Sequence, residues 1–143
     1  MDFSNTVTIR RPRREVFSFI SDLENVPRWN YAIDETQKLS SGPVAVGSRY
    51  RQVRSLPSRS EEVLEVTKIQ PDRAFALRGQ LGPFSGTLSY ELEEIEGGTR
   101  LTNTAHLESA GLMKVAAPLA GPRVREAVAA NLQSLKELLE AGG

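Results

Sequence analysis

Cysteine is absent from the 143 residues, which excludes disulfides, thiolate metal sites and a cysteine nucleophile. Histidine occurs once, as His106. A centre needing two or three imidazole ligands therefore cannot be built within one chain, and a Ser-His-Asp arrangement could use that position alone. Net charge is also missing. Eighteen Lys and Arg balance eighteen Asp and Glu, which argues against a dedicated nucleic-acid binder. No apolar run reaches the roughly 18 residues of a membrane span, and residues 1–20 lack the apolar stretch of a secretion signal. The expectation is one cytoplasmic domain over residues 1–143, with no metal, no cofactor, no nucleic-acid partner and no integral membrane segment. At this length folding buries roughly 70% of the unfolded surface, so the core needs no staple.

Aromatic residues are scarce, and the one tryptophan stands in an unusual place. In "DLENVPRWN" (Asp22 to Asn30), Trp29 follows Pro27 and is flanked by Arg28 and Asn30, where the composition reads as loop. A tryptophan that only filled a core would sit in a periodic apolar run. Trp29 reads instead as the wall of a space, with a simple plug at the end of the core as the alternative.

The hydrophobic period orders the rest. "NTVTIR" (Asn5 to Arg10) alternates as a strand. In "RPRREVFSFISDL", Val16, Phe17, Ile20 and Leu23 recur at helical spacing, with Pro12 suited to the first turn. Residues 24–31 read as a second short helix or a wrapped loop. From Ile33 the period is two, in about six antiparallel strands: Ile33 to Ser40 at an edge, Ser48 to Ser55, Glu61 to Gln70 with a bulge near Ile69, "RAFALRGQL", "PFSGTLSYELEEI" and "TRLTNTAHLE". Glu96 to Gly98 is a hairpin turn, since glycine takes positive φ freely. The end is helical, over about residues 112–140, with Val124, Val128, Leu132, Leu135 and Leu139 on one stripe. Pro118 is expected to kink or split it. The fold class is thus α+β: a curved antiparallel sheet of about seven strands wrapped around one long helix, with a pocket as the space between them.

Several motifs carry less than their spelling suggests. "GPVAVGSR" (Gly42 to Arg49) has the glycine spacing of a phosphate loop. Ser48-Arg49 replaces the required Lys-Ser/Thr, however, and a strand follows where a helix N-terminus is needed. His106 shares a face with Thr102, Thr104 and Glu108, opposite the apolar one, and so points away from the pocket. The arginines of "RRPRRE" (Arg10, Arg11, Arg13, Arg14) crowd the start of a helix, the reverse of the dipole preference. They read as a solvated face or an anion-contacting edge. Polar residues with inward phase are more informative. Tyr50 carries Gln52 and Arg54 on its face, Asn103 lies among Leu101, Ala105 and Leu107, and Tyr90 lies between Leu88 and Leu92. A slip of one residue would invert the strand Ser48 to Ser55 and bring Val53 inward instead.

The opening "TVTIRRPRREVFSFISDLENVPRWN", the "VGSRYR" strand start, "EVTKIQPDRAFALRG", "GGTRLTNTAHLE" and the closing "VREAVAANLQSLKELLE" together resemble the START-like or Bet v 1-like (SRPBCC) helix-grip superfamily. Within it, the chain is most similar to the bacterial polyketide cyclase/dehydrase and lipid-transport group. The resemblance covers nearly the whole chain and implies the helix-grip fold. For function it implies binding of a hydrophobic or amphipathic small molecule, such as a lipid, a quinone or an aromatic polyketide. The alternative is a polyketide aromatase/cyclase or dehydratase that positions its substrate and draws acid or base from Tyr50, Tyr90 or Arg54. The family carries no single catalytic signature, so no catalytic residue is assigned. The expected cavity wall is Trp29, Tyr50, Gln52, Arg54, Val66, Phe75, Leu77, Phe84, Leu88, Tyr90, Asn103, Met113, Leu119 and Val124. The apolar segment 111–121 is expected to be a lid packing Met113 or Leu119 toward the Trp29 loop, or else a transient membrane contact or a homodimer contact.

Overall fold

The period of two in the middle of the chain becomes a seven-stranded antiparallel sheet, and the helical period at its end becomes one long helix. The computed structural model describes residues 1–109 and 113–142, and the side chains of these except for 113–120. The expected lid segment and the calls on Met113 and Leu119 lie outside the described side chains. The elements are β1 (Asp2–Ile9), α1 (Arg13–Ser21), a 3₁₀ turn (Leu23–Arg28), β2 (Ile33–Lys38), β3 (Arg49–Arg54), β4 (Ser60–Gln70), β5 (Ala74–Leu81), β6 (Phe84–Ile95), β7 (Gly98–Ser109) and α2 (Met113–Glu140). The sheet order is β1-β7-β6-β5-β4-β3-β2, so the first strand closes back on the last and β1 and β2 form the two edges.

Alternate burial is clearest in β4 and β7, whereas β3 and β5 bury adjacent pairs, Gln52 with Val53 and Ala74 with Phe75. β7 alternates without a break, with Leu101, Asn103, Ala105 and Leu107 buried. β4 carries a register shift between Val66 and Lys68, slightly earlier than the bulge expected near Ile69. The curl of the sheet depends on Gly79 and Gly86, which face each other across β5 and β6. An added Cβ on Gly86 would stand 1.9 Å from the His106 carbonyl oxygen, and one on Gly79 would stand 2.4 Å from that of Val63. The backbones approach too closely there for any side chain, which lets neighbouring strands bend sharply.

Helix α2 packs on β1 and β7 across the concave face, with Leu132, Leu135 and Leu139 buried. The split expected at Pro118 does not occur, and the helix runs unbroken from Met113 to Glu140. A proline removes only its own bond to the carbonyl four residues earlier, and the ladder on either side persists. The far end of α2 is clasped to β1. Arg11 Nε donates to the Leu139 carbonyl at 2.8 Å, and Glu140 accepts from Arg10 N and from Lys136 Nζ, each at 2.8 Å. Lys136 Nζ also donates to the Thr8 carbonyl at 2.6 Å. Two of the four clustered arginines therefore serve the C-terminal end of α2, whose last carbonyls need donors and whose dipole favours cations. This accounts for basic residues that are misplaced for α1 alone.

A candidate ligand cavity between sheet and helix

The apolar stripe of α2 does not fill the concavity above it. A cavity of about 470 Å³ remains between α2, the inner face of the sheet and the segment after α1. That volume falls in the range of small-molecule sites, about 300–1,000 Å³. Most of the wall is hydrophobic, including Ile20, Leu23, Val26, Leu64, Leu77, Leu81, Phe84, Leu88, Leu107, Val124 and Val128. The exposed wall residues Tyr31, Leu56, Pro57, Pro83 and Arg123 mark its mouth.

Trp29 owes its position to the 3₁₀ turn. Asp22 caps the turn through Oδ1, which accepts from Glu24 N at 3.2 Å. Pro27 lies inside the turn, and Trp29 N closes it on the Val26 carbonyl at 3.0 Å. Asn25 Nδ2 ties the turn back to the Phe19 carbonyl. Arg28 turns outward over the Phe19 ring, 5.2 Å from its centroid, and the indole turns inward to the cavity. Trp29 is buried and on the wall, so wall and plug coincide in one side chain.

Of the residues expected on the wall, Trp29, Gln52, Arg54, Leu77, Phe84, Leu88, Tyr90, Asn103 and Val124 line the cavity. Tyr50, Val66 and Phe75 do not; they are fully buried in the core. Their inward phase is as expected, but a strand can face inward beneath packed side chains as well as beneath a cavity, and alternation does not distinguish the two. The strand β3 has Tyr50 and Gln52 inward, with Val53 also buried. His106 lies on the outer face, exposed, with Nδ1 3.0 Å from Asp2 Oδ1.

Two buried polar side chains in this part of the fold escaped the sequence reading. The first is Glu62, whose carboxylate is fully buried. Its Oε1 accepts from Gln52 Nε2 at 3.0 Å. Its Oε2 accepts from Arg54 Nε at 2.8 Å, Ser60 Oγ at 3.1 Å and Gly82 N at 2.7 Å. Thr36 extends the network by donating to Gln52 Oε1 at 3.3 Å. One carboxylate thus ties β2, β3 and β4 to the β5–β6 turn beside the mouth. The signal was present: Glu62 shares the phase of Leu64 and Val66. The second is Asn131, which lies seven residues after Val124 on the inner stripe of α2.

The cavity wall offers little acid or base. Burial raises the Tyr90 phenol well above its ordinary range. The Tyr50 phenol is pushed up to about 12, first by burial and then by the charges of Asp22 and Glu24. Both remain protonated through the physiological range. Arg54 is ion-paired to Glu62. Among the described residues no group of three or more His, Asp or Glu side chains could hold a metal ion, and no helix is long and apolar enough to cross a membrane.

An antiparallel sheet curled around one long C-terminal helix, with an apolar cavity between them, defines a protein of the START-like helix-grip class. The chain belongs to the polyketide cyclase/dehydrase and lipid-transport family, whose sequence profile matches residues 1–140. Among solved structures, a Thermus thermophilus protein is 17% identical, with a TM-score of 0.79 over 100% of this chain and 99% of its own. A START superfamily protein of Mycobacterium smegmatis is 19% identical, with a TM-score of 0.73 over 98% and 94%. The di-domain aromatase/cyclase BexL of the BE-7585A biosynthetic pathway is 13% identical, with a TM-score of 0.78 over 98% of this chain and 46% of its own. These likenesses are of fold. Among curated proteins, none matches this chain in sequence.

Proposed function

We propose that the protein binds one hydrophobic or amphipathic small molecule, such as an aromatic polyketide, a quinone or a lipid with a compact polar group, in the cavity between sheet and α2. The observation that carries this reading is the wall itself. It is a continuous apolar surface interrupted by a few polar groups, the composition that buries a mostly apolar ligand and fixes its orientation. The family and fold agree with it.

Binding is favoured over catalysis by the state of the candidate acids and bases. Both oxygens of Glu62 are used by internal partners, Tyr50 is off the wall, His106 is outside, and the phenols are shifted away from proton transfer near neutrality. General acid–base work needs a group whose pKa lies near the working pH.

The test uses the sole tryptophan, since Trp29 lies on the wall and its emission reports occupancy. Titration with an apolar dye and with quinones should shift that emission saturably, and native mass spectrometry of protein from its own host should show a retained small molecule. Leu88→Trp, which adds bulk to the wall and is read by the dye's own fluorescence because it brings a second indole, should abolish dye binding. Undiminished binding in Leu88→Trp would place the ligand elsewhere and sink the reading.

A further inference from the structure

Three polar atoms on the cavity wall are buried and have no partner in the protein: Trp29 Nε1, Asn103 Oδ1 and Asn131 Oδ1. Asn103 is 0% exposed, and Trp29 and Asn131 are each 7% exposed. Buried polar groups are almost always hydrogen-bonded, and an orphan costs the desolvation of the group with no return.

The placement of the two asparagines makes a packing role a poor explanation. Asn103 occupies an inward position of β7 between Leu101 and Ala105, both fully buried. Asn131 occupies the inner stripe of α2, where Val128 and Leu135 precede and follow it at helical spacing. Leucine would satisfy either position without an orphaned oxygen, and asparagine is also a weak helix former. The chain has placed an amide on each of two facing elements, and both line one cavity.

The sense of the Asn103 amide follows from its neighbour. Its Nδ2 donates to the Ser89 carbonyl at 3.3 Å. A flipped amide would set two acceptor oxygens against each other, so Oδ1 is the amide atom left without a partner. It can only accept. A ligand oxygen that meets it must bring a hydrogen, which a ketone, an ether or a carboxylate cannot do. Trp29 Nε1 can only donate, and so requires a ligand acceptor.

Resting on the cavity reading above, we infer that the ligand is a neutral, largely apolar molecule carrying alcohol or phenol hydroxyls. One donates to Asn103 Oδ1, and a ligand oxygen accepts from Trp29 Nε1, while the Asn131 amide, which no protein bond orients, can turn to meet either a donor or an acceptor. A free carboxylate is disfavoured at Asn103, because it would face an acceptor oxygen. The selected class is therefore hydroxylated polycycles rather than fatty acids or purely ketonic chains.

The test compares β-naphthol with its methyl ether and with β-naphthoate by displacement of a bound apolar dye from the full chain. The ether keeps the ring and the oxygen but removes the donor. The naphthol should bind about three- to tenfold more tightly than the ether, the return of one well-placed hydrogen bond, and the naphthoate should bind most weakly. Asn103→Leu should erase the difference by weakening the naphthol alone. A thermal melt of the variant confirms that it is folded. Equal displacement by naphthol and ether, including none by either while the dye binds, overturns the hydroxyl assignment and leaves the cavity reading standing. So does a preference that survives Asn103→Leu. If the dye itself does not bind the wild-type chain, the cavity reading fails and the assignment with it.

Discussion

Truncating Glu62 to alanine should be among the most destabilising single changes in the chain. The carboxylate is fully buried and has four donors: Gln52 Nε2, Arg54 Nε, Ser60 Oγ and Gly82 N. Removing it leaves Arg54, whose side chain is 13% exposed, with an uncompensated charge, and leaves the Gly82 amide without its acceptor. Breaking a buried ion pair from one side typically costs about 3–5 kcal/mol. Here the guanidinium can lean toward the cavity mouth and recover some hydration, so a value near the lower end, about 3 kcal/mol, is expected. For a domain of this size that corresponds to a fall in Tm of roughly 10 °C. The measurement is a urea melt with unchanged m-value, read beside the thermal midpoint. The double variant Glu62→Leu with Arg54→Met should recover most of the loss, because replacing both partners by apolar groups removes the stranded charge. A cost under about 1 kcal/mol for Glu62→Ala would refute the reasoning, since an exposed pair behaves that way. A double variant no better than Glu62→Ala would show that the geometry of the network, and not the orphaned charge, is what matters.

Trp29→Ala should cost about 3–5 kcal/mol in a denaturant melt, because the indole is buried among Leu23, Val26 and the rest of the core cluster. Trp29→Phe should recover much of that, and no loss on truncation would remove the indole from the core. The clasp at the end of α2 should respond to acid. Hydrogen bonding from Lys136, and then from the Arg10 backbone, lowers the Glu140 carboxyl from its ordinary 4.5 to about 2. Its stabilising effect is then fully present above pH 4.5 and is lost as pH falls toward 2. Glu140→Gln should flatten that part of the stability profile, and an unchanged acid limb would show that the clasp does not form in solution.

Much of this architecture was legible before any coordinates. β7 alternates over its whole length because one face meets the core and the other meets water, and the same rule gave the inward phase of Gln52 and Asn103 and the outward phase of His106. Where the sequence reading went astray, the signal was of another kind. Tyr50, Val66 and Phe75 were placed on the cavity wall because inward phase cannot tell a packed core from an open one. Glu62 was passed over although it shares the phase of Leu64 and Val66, because a carboxylate at an inward position has no meaning until its partners are known.

The one-dimensional pattern determined which residues form strands and helices and which face each strand buries, since both follow from a local period and the cost of wetting apolar surface. It also determined that neither a disulfide nor a multi-histidine centre could be built, since those depend on residue counts. The tertiary structure alone decided where the concavity stays unfilled, which inward residues reach it, and which polar atoms there lack partners. Those are relations between residues far apart in the chain, such as Gln52, Arg54, Ser60 and Gly82 around Glu62, or Asn103 opposite the helix that carries Asn131. No local period encodes how the helix sits over the sheet, because its position is settled by the packing of all the elements together.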